Sequence, residues 1–230
     1  MTIDNMHLGI DASVTHAIQD YLKIIFKAQR DGMASTNDVA RAMGVSAASA
    51  TAMIKRLAGM NLVDHKSYQG VRLTRAGEKI ALHVLRHHRL LETYLREALG
   101  YPLDRLHDEA CALEHHISEL FEDTLAQLLG DPTHDPHGHP IPTRTGRIID
   151  KTSSPLAETQ AGREVEIHSL DDDDPELLRY FEAEHLLPGE RVLVHSKAPV
   201  RGPIELRRGR RRTILGYETA TRMFVIPITE

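Results

Sequence analysis

The chain has 230 residues, a formal net charge of −5 and 41% hydrophobic residues. This length allows two or three small domains, and a sequence without a long apolar run argues against a transmembrane helix. No signal-peptide pattern is evident at the N-terminus, and a single cysteine cannot form an intramolecular disulfide. We therefore expect a protein of the reducing cytoplasm.

The first part of the chain carries a helical pattern with recognisable caps. Apolar residues at helical spacing predict a first helix over residues 13–30, and Ser35 or Thr36 can cap a short second helix. A glycine turn leads to a third helix over residues 47–59, which Ser46 can cap. Two helices joined in this way are a helix-turn-helix signature, although a plain helical hairpin has the same pattern.

A β-hairpin is predicted next, with strands over residues 62–66 and 71–74 and a turn over residues 67–70. Helix-turn-helix followed by hairpin predicts a winged helix-turn-helix. Residues 34–79 contain seven basic and three acidic side chains, a net charge of +4 within a negative protein. This excess favours DNA binding over a winged fold used only for protein contacts.

The third helix is predicted to enter a DNA groove. Its small residues allow close approach to base edges, while basic residues nearby meet phosphates. The predicted DNA contacts are Ser46, Ala47, Ala48, Ser49, Thr51, Ala52, Lys55, Arg56, Lys66 and Arg72.

The stretch H-D-E-A-C-A-L-E-H, residues 107–115, predicts a metal site. If a helix runs over about residues 103–129, four ligand-type side chains fall within roughly a 100° arc. They are His107, Cys111, Glu114 and His115. Imidazole, thiolate and carboxylate on one face are typical of a transition-metal site, the alternative being an ordinary half-buried helix face.

The preceding helix, predicted over residues 75–99, adds His88 and Glu92 one turn apart on the same face. Two antiparallel helices would place all these residues in two clusters. The first cluster would hold His88, Glu92 and His107. The second would hold Cys111, Glu114 and His115, with Asp20 of the first helix as the best candidate for a fourth ligand.

The last hundred residues predict a connecting segment and a small β domain. Glycine, proline and histidine dominate residues 130–143, where His134, His137 and His139 are interpreted as solvated, with a metal-binding tract as the alternative. Short β-rich runs from residue 163 onward surround a helix over residues 175–184. The basic run 207–212 is interpreted as an exposed hairpin loop.

Together with the winged helix-turn-helix, the segments R-H-H-R-L-L-E, H-D-E-A-C-A-L-E-H and H-G-H-P-I-P resemble the diphtheria toxin repressor family. These are metal-dependent transcriptional repressors that include the manganese transport regulators. The resemblance implies a mainly α fold with a small β domain. It implies a DNA-binding domain over residues 1–76, a helical metal-binding and dimerisation domain over 77–150 and an SH3-like, FeoA-like barrel over 151–230.

The resemblance also implies the ligand sets. His88, Glu92 and His107 match one family metal site, and Asp20, Cys111, Glu114 and His115 match the other. In the longer family members the barrel can supply further ligands, for which Asp174 and Glu176 are candidates, although an acidic run is usually a solvated loop.

The second ligand set is a hybrid of two branches of the family. Asp20 stands where the iron-responsive branch carries methionine, and Cys111 stands where the manganese branch commonly carries glutamate. Lys23 replaces a glutamate of the short manganese regulators, so their closely spaced dimetal site is not expected. The hard carboxylate favours Mn²⁺, and the thiolate favours Fe²⁺, Zn²⁺ or Co²⁺. We predict Mn²⁺, with Fe²⁺ as the alternative.

The predicted function is that of a cytoplasmic homodimer that represses metal-uptake genes by binding a palindromic double-stranded DNA operator when metal is bound. A di-metal carboxylate enzyme is the alternative from another class. Against it, the central helices have no Glu-x-x-His pair and the chain has no His-Glu-x-x-His motif. A metal buffer would leave the basic winged segment without a purpose. We therefore predict a regulator and not an enzyme.

Overall fold

The computed structural model describes residues 14–29, 32–66 and 69–228. The predicted helix ends Ser13 and Arg30 and the predicted turn residues Ser67 and Tyr68 lie outside these ranges. The chain folds into two compact units. One contains the described residues up to 87 together with 142–147, and the other contains 88–141 and the described residues from 148 to 228.

The first unit is the winged helix-turn-helix. It contains helices α1 (His16–Ala28), α2 (Thr36–Ala42) and α3 (Ala47–Gly59), followed by the antiparallel strands β1 (Val63–Lys66) and β2 (Gly70–Leu73). The predicted caps are present, since the hydroxyls of Ser35 and Ser46 accept the backbone N–H groups of Asp38 and Ser49 at 3.0 and 3.1 Å. The buried core includes Ile18, Leu22, Val39, Ile54, Leu57 and Val71.

Helix α4 (Arg75–Glu97) begins in the first unit and continues into the second. The hydroxyl of Thr74 accepts the backbone N–H of Gly77 at 3.2 Å, as expected of a helix cap. Downstream, Gly100 adopts a φ of +70°, a left-handed conformation that suits glycine just beyond a helix end.

The single helix predicted over residues 103–129 is wrong. The structure has a 3₁₀ turn (Leu103–Arg105), helix α5 (Leu106–Leu113) and a separate helix α6 (Glu119–Leu128). Ser118 causes the break, because it is extended, with φ −85° and ψ 160°, and its hydroxyl accepts the N–H of Phe121 at 3.2 Å. A capping residue lies outside helical geometry, so α5 must end before it. Glu114 and His115 therefore follow the last residue of α5.

The rest of the second unit is a six-stranded antiparallel sheet in the order β3-β8-β4-β5-β6-β7. This confirms the predicted small β domain, although β3 precedes residue 163, where the predicted β-rich runs begin. The strands are β3 (Ser154–Pro155), β4 (Glu164–Leu170), β5 (Arg191–Lys197), β6 (Ile204–Arg208), β7 (Arg211–Leu215) and β8 (Met223–Pro227). Helices α7 (Pro175–Ala183) and α8 (Tyr217–Thr221) interrupt the series. Phe181, Ile167 and Val194 are fully buried in the core of this domain.

The basic run 207–212 forms the β6–β7 hairpin, and acidic side chains offset much of its charge. Arg207 and Arg212 each lie 3.0 Å from an oxygen of Glu205. Arg208 pairs with Glu190, and Arg211 lies 3.3 Å from Glu184. Because these ion pairs offset positive charge, the run is less suited to contacting DNA than its sequence suggests.

The interpretation of the linker histidines as solvated is wrong for His137, which is fully buried. The linker packs against β4, where the N–H of Leu170 donates to the carbonyl of His137 at 2.8 Å. A Cβ on Gly138 would lie 2.0 Å from the carbonyl oxygen of His168, so only glycine allows this approach. Among the described residues, no helix combines the length and apolar character that a membrane crossing requires.

Candidate metal centre

His88 of α4 lies at the centre of a buried polar cluster in the second unit. Its Nδ1 is 2.6 Å from Oε2 of Glu114, and its Nε2 is 3.1 Å from Oε1 of Glu92. All three side chains are at most 2% exposed. One imidazole therefore lies between two buried carboxylates, an arrangement that requires a positive charge to offset them.

Helix α5 adds a thiol and a second imidazole to this cluster. Cys111 Sγ lies 3.5 Å from Nε2 of His107, one helical turn away, and 4.0 Å from Nδ1 of His88. His115 Nε2 is 3.4 Å from Oε1 of Glu114. His88, His107 and Cys111 can offer one ligand atom each within 4.8 Å of one another.

The two predicted clusters contact each other through His88, and the assignment of ligands to two clusters stays a prediction. Cys111 and Glu114, which we expected only in the second cluster, both contact His88 of the first. The reason is that the two ring nitrogens of His88 face opposite directions. One imidazole thereby joins Glu92 on one side to Glu114 and Cys111 on the other.

The chemistry of the donor atoms fits a divalent metal ion. Among the described residues, His107 Nδ1 is buried without a hydrogen-bond partner, and the 3.1 Å ion-pair contact between His88 Nε2 and Glu92 Oε1 lacks hydrogen-bond geometry. Buried polar atoms are nearly always hydrogen-bonded, so orphaned nitrogen and oxygen atoms at one place require an explanation. Imidazole, carboxylate and thiolate are ligands of first-row transition metals, and an ion would satisfy them together.

The contacts of His88 with the two buried carboxylates shift its pKa and that of Glu92. Burial alone would lower the pKa of His88, but the Glu92 charge and hydrogen bonds to Cys111 and Glu114 outweigh it and raise that pKa well above its usual value. Burial alone would raise the pKa of Glu92, but His88 lowers it. A metal ion binding to His88 must therefore displace a proton.

The structure adds His137, whose role sequence reasoning missed. Its Nε2 is 3.3 Å from the carbonyl oxygen of Leu103, and its Nδ1 is 3.8 Å from Oε1 of Glu92. A carbonyl only accepts, so Nε2 carries a proton and the Nδ1 side of the ring faces the cluster. The motif H-G-H-P-I-P was the available signal, but sequence alone did not indicate that the segment is buried.

A buried ion pair fixes the loop that carries His137. The Asp135 carboxylate accepts the backbone N–H groups of His137 and His139 at 2.8 and 3.0 Å. Its other oxygen is 3.3 Å from Nε of Arg89, the residue after His88 on α4. Arg89 also donates to the carbonyl of Pro140. The linker is thereby tied to the helix that carries the central imidazole.

The remaining ligand candidates stay predictions. Asp20 lies on α1 at a half-buried position in the first unit. Asp174 caps α7, because its carboxylate accepts the N–H groups of Glu176 and Leu177 at 2.9 and 3.2 Å. Both Asp174 and Glu176 are exposed.

The predicted DNA contacts lie mostly at the surface of the first unit. On α3 and its cap, exposed positions alternate with the buried residues Ala50, Ile54 and Leu57. The exposed ones are Ser46, Ala47, Ala48, Ser49, Ala52, Lys55 and Arg56. In the wing Lys66 is exposed, while Arg72 pairs with Asp64 at 3.2 Å. Thr51 is half-buried, and its hydroxyl donates to the carbonyl of Ala47 at 2.7 Å.

Family models match nearly the whole chain. The N-terminal DNA binding domain of iron dependent repressors matches residues 13–71, and their metal binding and dimerisation domain matches residues 74–143. A FeoA domain matches residues 154–227.

Individual relatives agree with these matches. The diphtheria toxin repressor of Corynebacterium efficiens is 29% identical over 136 residues, which cover 59% of this chain and 59% of that protein. The iron-dependent repressor IdeR of Mycobacterium tuberculosis is 32% identical over 123 residues, 53% of this chain and 54% of that protein. The alignments thus span less than two thirds of these relatives' own length.

For one solved structure, the similarity covers the whole chain of the relative. A manganese-dependent transcriptional repressor in complex with manganese is 36% identical and superimposes with a TM-score of 0.85. The match covers 92% of this chain and 100% of that chain. The chain belongs to the diphtheria toxin repressor family of metal-dependent, DNA-binding transcriptional repressors.

Proposed function

We propose that this protein is a metal-activated repressor that binds a palindromic operator as a homodimer and controls metal-uptake genes. The observation that carries the proposal is the buried cluster around His88, in which imidazole, carboxylate and thiol groups converge with orphaned polar atoms. This cluster falls within the residues that match the metal binding and dimerisation domain.

In this proposal the metal ligands come from α4, α5 and the residues directly after α5. They are His88, Glu92, His107, Cys111, Glu114 and His115, with Asp20 from α1 and, further, Asp174 and Glu176 from the β domain. A bound ion supplies the positive charge that the buried carboxylates require. Asp20 belongs to the domain that reads DNA, so its ligation would make operator affinity depend on metal by selecting a binding-competent geometry.

The metal we propose is Mn²⁺, with Fe²⁺ as the alternative. Carboxylate ligands favour the harder Mn²⁺ ion, and the solved relative that matches 92% of this chain is named as manganese-dependent. The thiolate of Cys111 favours Fe²⁺, and several curated relatives are named as iron-dependent. The contributions of the carboxylates and of the Cys111 thiolate to the binding affinity decide between the two ions.

Exposed apolar side chains support the homodimer. Leu120 and Leu128 of α6 are 77% and 69% exposed, and Leu113 and Phe121 nearby are also exposed. Three of these large apolar residues are exposed on the single helix α6, which favours association, and all four lie within the residues that match the dimerisation domain. A dimer would present two α3 helices to two half-sites of a palindromic operator.

Our proposal includes action in the cytoplasm, no enzymatic activity and domain bounds at residues 1–76, 77–150 and 151–230.

A binding experiment with four conditions tests the proposal. The affinity for a metal-uptake promoter is measured with and without Mn²⁺ for the wild type and for Glu114→Ala. We expect Mn²⁺ to strengthen binding by the wild type and to have little effect on the variant. Glu109→Ala, an exposed position on α5, serves as the control and should respond as the wild type does. Equal affinity in all four conditions would contradict the proposal.

The same promoter also tests the choice of metal. Binding curves are recorded separately with Mn²⁺, Fe²⁺ under anaerobic conditions and Zn²⁺. Activation by Mn²⁺ at the lowest free concentration would support our assignment. Activation by Zn²⁺ alone would contradict both Mn²⁺ and Fe²⁺.

A further inference from the structure

We propose that His134, Asp150 and His168 form an additional binding site for a divalent transition-metal ion, with a preference for Zn²⁺. The site is separate from the cluster around His88 and shares no residue with it. It joins the linker, the segment before β3 and strand β4.

The three side chains already point their ligand atoms at one place. Nε2 of His168 is 2.7 Å and Nε2 of His134 is 3.4 Å from the same oxygen, Oδ1 of Asp150. The three atoms lie within 4.8 Å of one another. Zinc holds such ligands at 2.0–2.2 Å in a tetrahedron, which separates neighbouring ligand atoms by roughly 3.4 Å. A modest outward movement of His168 from Asp150 would therefore accommodate the ion.

The backbone directs His168 to this place through a β-bulge. On β4, Ile167 pairs with Val225 and Ser169 pairs with Phe224, so His168 is an extra residue opposite two consecutive positions of β8. A bulge breaks the alternation of a strand and re-aims one side chain, and bulges are frequent beside functional sites. The bulge is an observation independent of the histidine cluster.

The linker is held firmly at the same place. Gly138 packs directly on the carbonyl of His168, and His134 forms a β-bridge with Pro140. Both histidines are therefore positioned by backbone contacts before any ion binds. Such preorganisation reduces the conformational entropy that binding must overcome.

The neighbouring groups suit metal ligation. Nδ1 of His134 is 3.0 Å from the hydroxyl of Thr133, which can accept the ring N–H when Nε2 binds an ion. Histidine ligands commonly donate their second ring N–H to such a partner. His168 is largely buried, while His134 and Asp150 are about one-third exposed, which gives an ion a path from solvent.

Two imidazoles and one carboxylate favour Zn²⁺ over Mn²⁺, because imidazole suits borderline ions and the site has only one hard ligand. Three protein ligands leave a fourth position for water. An ion here would link His134 and Asp150 to His168 of β4. It would thereby cross-link the chain across the loop between residues 134 and 150. The expected effect is stabilisation of the linker and of the sheet domain.

The test counts zinc in the full-length protein after equilibrium dialysis, by elemental analysis. Wild type is compared with His134→Gln, Asp150→Asn and His168→Ala. His195→Gln is the matched control, since His195 is an exposed histidine on the neighbouring strand β5. Each of the three variants should lose one zinc per protomer, and the control should lose none. His134→Gln changes a partly exposed loop side chain, and circular dichroism establishes that it is folded.

A second measurement separates this site from the cluster around His88. In Glu114→Ala, which weakens the central cluster, Zn²⁺ should still raise the midpoint of thermal unfolding. That rise should disappear when His134→Gln is added. An unchanged zinc count in the three variants, or an equal loss in His195→Gln, would overturn the proposal. Neither readout depends on DNA, so the operator experiment can fail without affecting it.

Discussion

Nδ1 of His88 and Oε2 of Glu114 lie 2.6 Å apart although 26 positions separate them in the chain. Both side chains are almost completely buried. The contact joins α4 to the end of α5 through two groups that can each ligate a metal. A proton on His88 stabilises this contact, and a bound metal ion would replace that proton.

Replacing Glu114 by glutamine should destabilise the metal-free protein. The change removes a buried negative charge that accepts from His88, so we expect the free energy of unfolding to fall by about 1–3 kcal/mol. Urea unfolding in the presence of a chelator measures it. Glu109→Gln, exposed on α5, should change the free energy by less than about 0.5 kcal/mol. Similar losses in the two variants would show that the buried contact contributes little.

Replacing Cys111 by serine should change the metal preference. The sulfur lies 3.5 Å from His107 and 4.0 Å from His88, so its loss removes the softest ligand candidate of the cluster. We expect affinity for Zn²⁺ and Fe²⁺ to fall by at least about tenfold and affinity for Mn²⁺ to fall less. Competition with a fluorescent chelator measures each constant. An equal loss for all three ions would mean that sulfur does not set the preference.

The Asp135–His139 pair should make stability depend on pH. Burial would lower the pKa of His139, but Asp135 and Asp172 raise it. Burial would raise the pKa of Asp135, but His139 and Arg89 lower it. Because the pKa of His139 is higher in the folded protein than in the unfolded one, the pair stabilises the fold fully below the unfolded pKa of about 6.5. This stabilisation is lost as pH rises through the folded pKa. The aspartate contribution is instead present above its unfolded pKa and lost as pH falls through its lower folded value.

Urea unfolding of the metal-free protein between about pH 6 and pH 9 tests the histidine contribution. The wild type should lose more unfolding free energy over this range than His139→Gln, which lacks the titrating ring. The difference between the two proteins reports the contribution of His139 and its contacts with Asp135 and Asp172. Parallel curves would rule out a contribution from this residue.

Gly138→Ala should be more destabilising than Gly130→Ala. Both glycines have a positive φ, +88° and +72°, so each substitution carries a backbone penalty of about 1–2 kcal/mol. Only at Gly138 would the new Cβ also meet a neighbour, the carbonyl oxygen of His168 at 2.0 Å. We expect a further loss of about 1–3 kcal/mol there. Equal losses in thermal or urea unfolding would indicate that the linker moves away from β4 easily.

Lys55→Ala should weaken operator binding in a salt-dependent manner. Lys55 is exposed on α3 and is predicted to contact a phosphate. Its loss should reduce the slope of log affinity against log salt by about one and should affect all DNA sequences similarly. Fluorescence anisotropy at several salt concentrations measures the slope. Arg191→Ala, on β5 of the sheet domain, should leave it unchanged. An unaltered slope for Lys55→Ala would place α3 outside the DNA interface.

Local patterns predicted the helices and strands well where the determining residues are neighbours in sequence. Ser35 and Ser46 cap α2 and α3 as expected, and the apolar spacing of α3 identified its buried face. Ser118 carried the same capping signal, but the ligand pattern of residues 107–115 favoured one continuous helix. The chain breaks before Ser118 because its extended backbone and capping hydroxyl cannot continue a helix.

The sequence by itself determined the winged helix-turn-helix and the β-rich third domain, and it provided the candidate metal ligands. Helical and strand periodicities and capping residues act over a few positions, so they can be read without a structure. Only the tertiary structure decided that His88 contacts Glu114 and Cys111, that His137 is buried beside Glu92 and that His134 meets His168. Those contacts join residues far apart in the chain, and they depend on how helices and strands pack.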